Sequence, residues 1–119
     1  MFTSAKEFID YRNSENPIEQ GRAANEGADN IVWQENIENY PEYKKWVIHN
    51  KTISIEILQQ LCNDPDENVR RALASKRKIS TEIIKKLSND KSEKVRFALM
   101  CNKTLSKAQI QNIEVSDSN

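Results

Sequence analysis

The chain has 119 residues, 30% of them charged and 37% hydrophobic, with 18 basic residues balanced by 18 acidic ones. That length supports one domain, and the low apolar fraction permits only a thin core whose units touch their neighbours. Two glycines and three prolines exclude glycine-rich phosphate loops, two cysteines are too few for a disulfide framework, and no apolar run approaches the ~20 residues of a membrane span.

Residues 1–27 predict a helical N-terminal cap. One helix runs from Ser4 to about Arg12, with Glu7 at the capping-box position after Ser4 and an apolar set of Phe8, Ile9 and Tyr11. A second runs from Pro17 to about Glu26 after the turn Ser14-Glu15-Asn16. The opening residues lack the basic-then-apolar pattern of a secretion signal, so a cytoplasmic protein with reduced thiols is expected. Cys62 and Cys101 both adjoin helical apolar positions, which predicts that both are buried.

Residues 28–49 read as a degenerate helix pair. Trp33 and Ile37 stand where later copies have Ile57 and Leu61, and Tyr40-Pro41-Glu42 stands over Asp64-Pro65-Asp66. Trp33 is expected in the core. Trp46 replaces a small alanine, and core packing is favoured for it over reach toward a groove. Tyr40 and Tyr43 flank Pro41 at a turn and are candidate rim contacts for a partner. His49, the one histidine, ends a helix, where it caps carbonyls or packs.

Residues 50–75 and 76–101 then form an ungapped repeat of 26 residues, identical at 12 positions, and Asn102 opens a further half copy at 102–113 before a tail at 114–119. Ser54, Ser80 and Ser106 recur at this period ahead of apolar stripes, as N-caps should. The stripes are Ile57, Leu58, Leu61 and Ile83, Ile84, Leu87, spaced for one helical face. Asp64 and Asp90 are expected to cap the second helices, with Glu67 and Glu93 at the box position. Those helices carry Val69, Ala72, Leu73 and Val95, Ala98, Leu99. Asn50 and Asn102 follow second helices, at a place where asparagine tolerates a left-handed backbone. In the half copy Leu105, Ile110 and Ile113 persist, but Gln109 takes a stripe position, which suits a terminal cap. The expected fold is therefore all-α: a short right-handed α-solenoid of stacked helix pairs with a helical N-terminal cap.

The turn Asp64-Pro65-Asp66, followed by Val69-Arg70 and the small residues Ala72 and Ala74, resembles the HEAT-like solenoids, most closely the bacterial variant-leucine-rich-repeat type. The resemblance covers about residues 28–113. It implies a binding role, because such repeats serve as interaction surfaces; some bacterial HEAT-like proteins are DNA-alkylation glycosylases with a basic concave surface, and other small ones act as adaptors or toxin-neutralising partners. Iron–sulfur members carry an N-terminal cysteine cluster, which this chain lacks before Cys62. No cofactor is carried over. In this family the arginine after the valine pairs with the turn aspartate of a neighbouring unit, which implies a structural ladder of Asp64, Arg70, Asp90 and Arg96.

Catalysis has little to stand on: no serine elbow, zinc spacing or phosphate loop is present, and no enzyme or metal site is expected. Residues 1–43 hold three basic and nine acidic residues, whereas 44–119 hold 15 basic and nine acidic. Either the halves neutralise each other across the fold, or each presents a charged face that steers a partner. Lys44, Arg70 and Arg96 share one repeat position, and Lys51, Arg77 and Lys103 share another, with Lys76 and Lys78 beside it. The second ladder is the better candidate for binding. The expected function is a non-enzymatic module binding a protein partner through Tyr40, Tyr43, Lys51, Lys76, Arg77, Lys78 and Lys103. The alternative is nucleic-acid backbone binding through the basic half, expected to be at most weak and salt-labile.

Overall fold

The computed structural model describes residues 1–105, so Ser106, Gln109, Ile110 and Ile113 of the half copy, and the tail, lie outside the described residues. Within them every regular element is a helix: α1 (Ala5–Arg12), α2 (Pro17–Asn25), α3 (Asn30–Asn39), a 3-10 turn (Pro41–Tyr43), α4 (Lys44–His49), α5 (Ile55–Leu61), α6 (Glu67–Ala74), α7 (Thr81–Ser88) and α8 (Glu93–Met100). None of these helices is long and apolar enough to cross a membrane. The chain divides into two compact units, Met1–Ile57 and Leu58–Asn119.

In the first unit, short polar side chains start the helices. Ser4 accepts from the Glu7 amide to begin α1, and Asn16 accepts from the Ile18 amide to begin α2, with Pro17 at a position that needs no amide. Helix α1 packs on α2 and α3, and α3 packs on α4. The apolar faces meet in an aromatic cluster: Phe8 lies edge-on to Trp33 with ring centroids 5.2 Å apart, and Phe2 lies edge-on to Phe8 at 5.5 Å. Phe2, Phe8 and Trp33 are all buried. Asn36 is buried with them; its amide donates to the Val32 carbonyl.

Trp46 corrects the expectation of core packing. It is 39% exposed, and the Arg12 guanidinium lies 3.4 Å from its ring centroid. An indole at a position sized for alanine is forced outward, and the arginine covers its face by cation–π attraction.

The second unit buries the stripes that the repeat predicted. Leu58, Leu61, Val69, Leu73, Ile83, Ile84, Leu87, Val95 and Leu99 are all in its core. Each such side chain contributes roughly 1.5–3 kcal/mol when fully buried. Helix α6 packs against α7 and α8, and α7 against α8. Ser80 caps α7 by accepting from the Ile83 amide.

The caps of α6 and α8 differ from the expectation. Asp66 caps α6 by accepting from the Asn68 amide, and Ser92 caps α8 by accepting from the Val95 amide. Asp64 and Asp90 instead accept from the amides of Asp66 and Ser92, two residues on. An aspartate bonded to its own backbone in this way forms a turn, and the helix starts only after that turn is complete.

The cysteines also differ from each other. Cys62 is buried, whereas Cys101 is exposed just beyond the end of α8.

Candidate functional site: a basic cleft between α6 and α8

Two recurring bond sets hold the turns of the second unit in place. The first is the arginine ladder. Arg70 is 5% exposed; its Nη1 donates to the Asp64 carbonyl at 2.7 Å and its Nε to the Asp90 carboxylate at 2.8 Å. One period later the Arg96 guanidinium donates to the Asp90 carbonyl, the same local bond six residues back. The carboxylate rung that would match Asp90 falls at Ser116, outside the described residues. Arg70 is therefore committed to the fold. Its fork spans two turns at once, a geometry that lysine cannot reproduce.

The second set is an asparagine bracket. Asn102 donates from Nδ2 to the carbonyls of Ala74 and Lys76, both at 2.8 Å, while its Oδ1 accepts from the Thr104 amide and hydroxyl at 2.9 and 2.6 Å. Asn50 does the same in the first unit. It donates to Ala23 and Glu26 carbonyls at 2.9 Å and accepts from the Thr52 amide and hydroxyl at 2.9 and 2.6 Å. The backbone there is tightly approached: a Cβ on Gly27 would lie 3.2 Å from the Thr52 hydroxyl. The left-handed reading of these asparagines is corrected. Asn50 has φ −65°, and the one non-glycine residue with positive φ among the described residues is Lys78, at 54°. Asparagine is needed here for its amide, which supplies two donors and an acceptor in one short side chain.

The middle copy breaks the bracket. Where Asn50-Lys51-Thr52 and Asn102-Lys103-Thr104 stand at either side, the repeat has Lys76-Arg77-Lys78. Lys78 takes the left-handed conformation, which costs a lysine roughly 1–2 kcal/mol, and its amide donates to the Thr104 hydroxyl at 3.0 Å. Burial pulls the partly buried Lys76 ammonium below its ordinary range. Three consecutive cations, one of them strained, thus occupy a turn where each neighbouring copy has a single lysine between a neutral asparagine and a neutral threonine.

Beside this turn a cleft of about 690 Å³ opens against α6 and α8. Arg71, Arg77, Lys94 and Lys103 contribute cations to its lining, and Glu93 is the acidic residue there. Its apolar part includes Phe97, Ala98 and Cys101. Phe97 is 62% exposed. A ring left in water within a basic rim is suited to hold an apolar side chain flanked by carboxylates.

Of the residues singled out from sequence, Arg77 and Lys103 line this cleft, and Lys76 and Lys78 flank Arg77 in the chain. Tyr40, Tyr43 and Lys51 belong to the first unit and are not among the lining residues. There the Tyr43 hydroxyl accepts from the Asn13 amide at 2.8 Å, and the Lys51 amide donates to the Ala24 carbonyl. Sequence reasoning missed Arg71, Lys94 and Phe97. A signal was present for Phe97, because it occupies the repeat position that holds Arg71 in the preceding copy. An aromatic residue on a face that is otherwise charged has been spared burial.

Among the described residues no group of three histidine, cysteine or acidic side chains is placed to hold a metal ion. Burial pushes the Cys62 thiol up to about 11, so it stays protonated near neutrality. In comparisons with known proteins, no family model matches the chain, and no curated protein or solved structure matches it at a significant level.

Proposed function

We propose that this chain is a non-enzymatic interaction module that takes an acidic protein segment into the α6–α8 cleft. The single observation that carries the reading is the exposed Phe97 ring set within the cations Arg71, Arg77, Lys94 and Lys103. Buried aromatic anchors dominate interface energies, and surrounding charges set on-rate and specificity. The proposed scaffold is a short right-handed α-solenoid of stacked helix pairs, of the HEAT-like, variant-leucine-rich-repeat kind. The recurrence of the arginine ladder and asparagine bracket at multiples of the 26-residue period supports it.

A second reading, binding of a nucleic-acid backbone, draws support from the consecutive cations Lys76, Arg77 and Lys78. An exposed apolar ring in the lining of the cleft favours the protein segment over a duplex backbone, since phosphates gain nothing from Phe97. Fluorescence anisotropy separates the two. A labelled peptide with isoleucine among glutamates is expected to bind with a Kd of about 10 μM at low salt, and Phe97→Ser to weaken it tenfold or more. Tighter binding of a duplex at about 150 mM salt, unaffected by Phe97→Ser, would transfer the assignment to nucleic acid.

A further inference from the structure

We infer that a second copy of this chain is an occupant of the cleft, docking through its own helix α3. The inference rests on the reading of the cleft as a site for an acidic segment with an apolar anchor, and it names the segment.

Helix α3 and the cleft are complementary in charge and in apolar character. Among the exposed large apolar residues described, Ile31 is the most exposed, at 82%. It sits in the first turn of α3, and Glu35 and Glu38 follow at four and seven residues, on the same helical face. Asp29, the residue before the helix, adds a further carboxylate at that end. Val32, Trp33 and Asn36 turn inward and are buried, so the helix is anchored while its outer face stays free to dock. Glu35 accepts from the Ala5 amide at 2.9 Å, which ties α3 to the start of α1 while Glu35 itself remains exposed. The result is an isoleucine knob with carboxylates around it on a supported helix. The cleft offers the converse, an exposed phenylalanine with Arg71, Arg77, Lys94 and Lys103 around it. Burying Ile31 against Phe97 removes the two largest exposed apolar side chains of α3 and α8 from water, and the surrounding charges pair by sign.

Knob and cleft are different surfaces, lying in different units. Each contact between copies therefore pairs unlike faces, the knob of one with the cleft of another. One helix face in one cleft is small beside the roughly 1,200–2,000 Å² of a stable interface, so assembly is weak, reversible and dependent on salt.

Sedimentation velocity on the full chain tests this. Wild type is expected to shift to faster-sedimenting species as concentration rises at about 50 mM salt and to return to monomer at about 500 mM. Two variants with changes at exposed positions separate the faces: Ile31→Lys with Glu38→Lys removes the knob, and Lys94→Glu with Phe97→Glu removes the cleft. Each alone should remain monomeric with an unchanged helical circular-dichroism spectrum. Mixed, they should form a 1:1 dimer that grows no further, because each supplies the one face the other lacks. Continued self-association of either variant, or failure of the mixture to dimerise, overturns the α3 assignment. A monomeric wild type that still binds the isoleucine–glutamate peptide overturns self-docking and leaves the cleft's proposed function standing. A monomeric wild type that ignores the peptide overturns both.

Discussion

Replacing Asn102 with alanine tests the bracket that sets the turn beside the cleft. The side chain is 7% exposed and makes four hydrogen bonds: two donated to Ala74 and Lys76, and two accepted from Thr104. A net value near 1 kcal/mol per bond sets an upper figure of about 4 kcal/mol, and water reaching the freed Thr104 groups lowers it to about 2–4 kcal/mol. Against a total stability of roughly 5–15 kcal/mol this is a large fraction, and it should lower Tm by at least about 8 °C. Asn102→Asp is the sharper variant, because it keeps the acceptor but sets a carboxylate against two carbonyls. It should destabilise at least as much near neutral pH and recover partly as the carboxyl is protonated in acid. Urea unfolding monitored by circular dichroism measures both, with Asn63→Ala as an exposed control. If Asn102→Ala lies within about 0.5 kcal/mol of that control, the bracket contributes nothing and the reasoning fails.

Arg70→Ala should cost about 3–5 kcal/mol, since it strands the Asp90 carboxylate, itself 7% exposed, and Arg70→Lys should recover little; thermal unfolding of both variants decides this. Leu61→Ala should cost roughly 2–5 kcal/mol from a side chain that is 1% exposed, and a near-neutral effect would deny its place in the core. At pH 8 one thiol, Cys101, should react quickly with a disulfide reagent and Cys62 only after unfolding, and two fast thiols would contradict the burial. Because the folded state raises the Cys62 pKa from 9.0 to about 11, its contribution is intact below pH 9 and fades as pH climbs toward 11. The Arg22 guanidinium, with help from the Met1 amine, holds the half-buried Glu26 carboxyl down at about 2 instead of 4.5. Its favourable pairing should therefore persist above pH 4.5 and be lost as pH falls through about 2; a carboxyl NMR titration with its midpoint near 4.5 would refute it.

The helical elements were legible because their signals are local. Ser4, Asn16 and Ser80 announce helix starts within three residues, and the stripes Ile57-Leu58-Leu61 and Ile83-Ile84-Leu87 are written at helical spacing. The caps Asp66 and Ser92 are not legible in the sequence, because Asp64 and Asp90 are equally good capping residues and only the turns they close consume them. The bracket was hidden for a different reason. Asn102 bonds to carbonyls 26 and 28 residues away, and no local pattern carries that information. Trp46 and Cys101 show the limit of reading burial from a stripe, since both occupy positions next to core residues yet face solvent. The candidate site was half legible: the cations Arg77 and Lys103 follow from the repeat, whereas Phe97 stands out only when its position is compared with Arg71.

The most direct test of the cleft's role is residue-resolved. Amide chemical-shift mapping of the ¹⁵N-labelled chain, titrated with the isoleucine–glutamate peptide, reports where binding occurs. Saturable shifts are expected at Arg77, Lys94, Phe97 and Cys101–Thr104, and their loss in Phe97→Ser. Shifts confined to residues 1–57, or none at saturating peptide, would contradict that role.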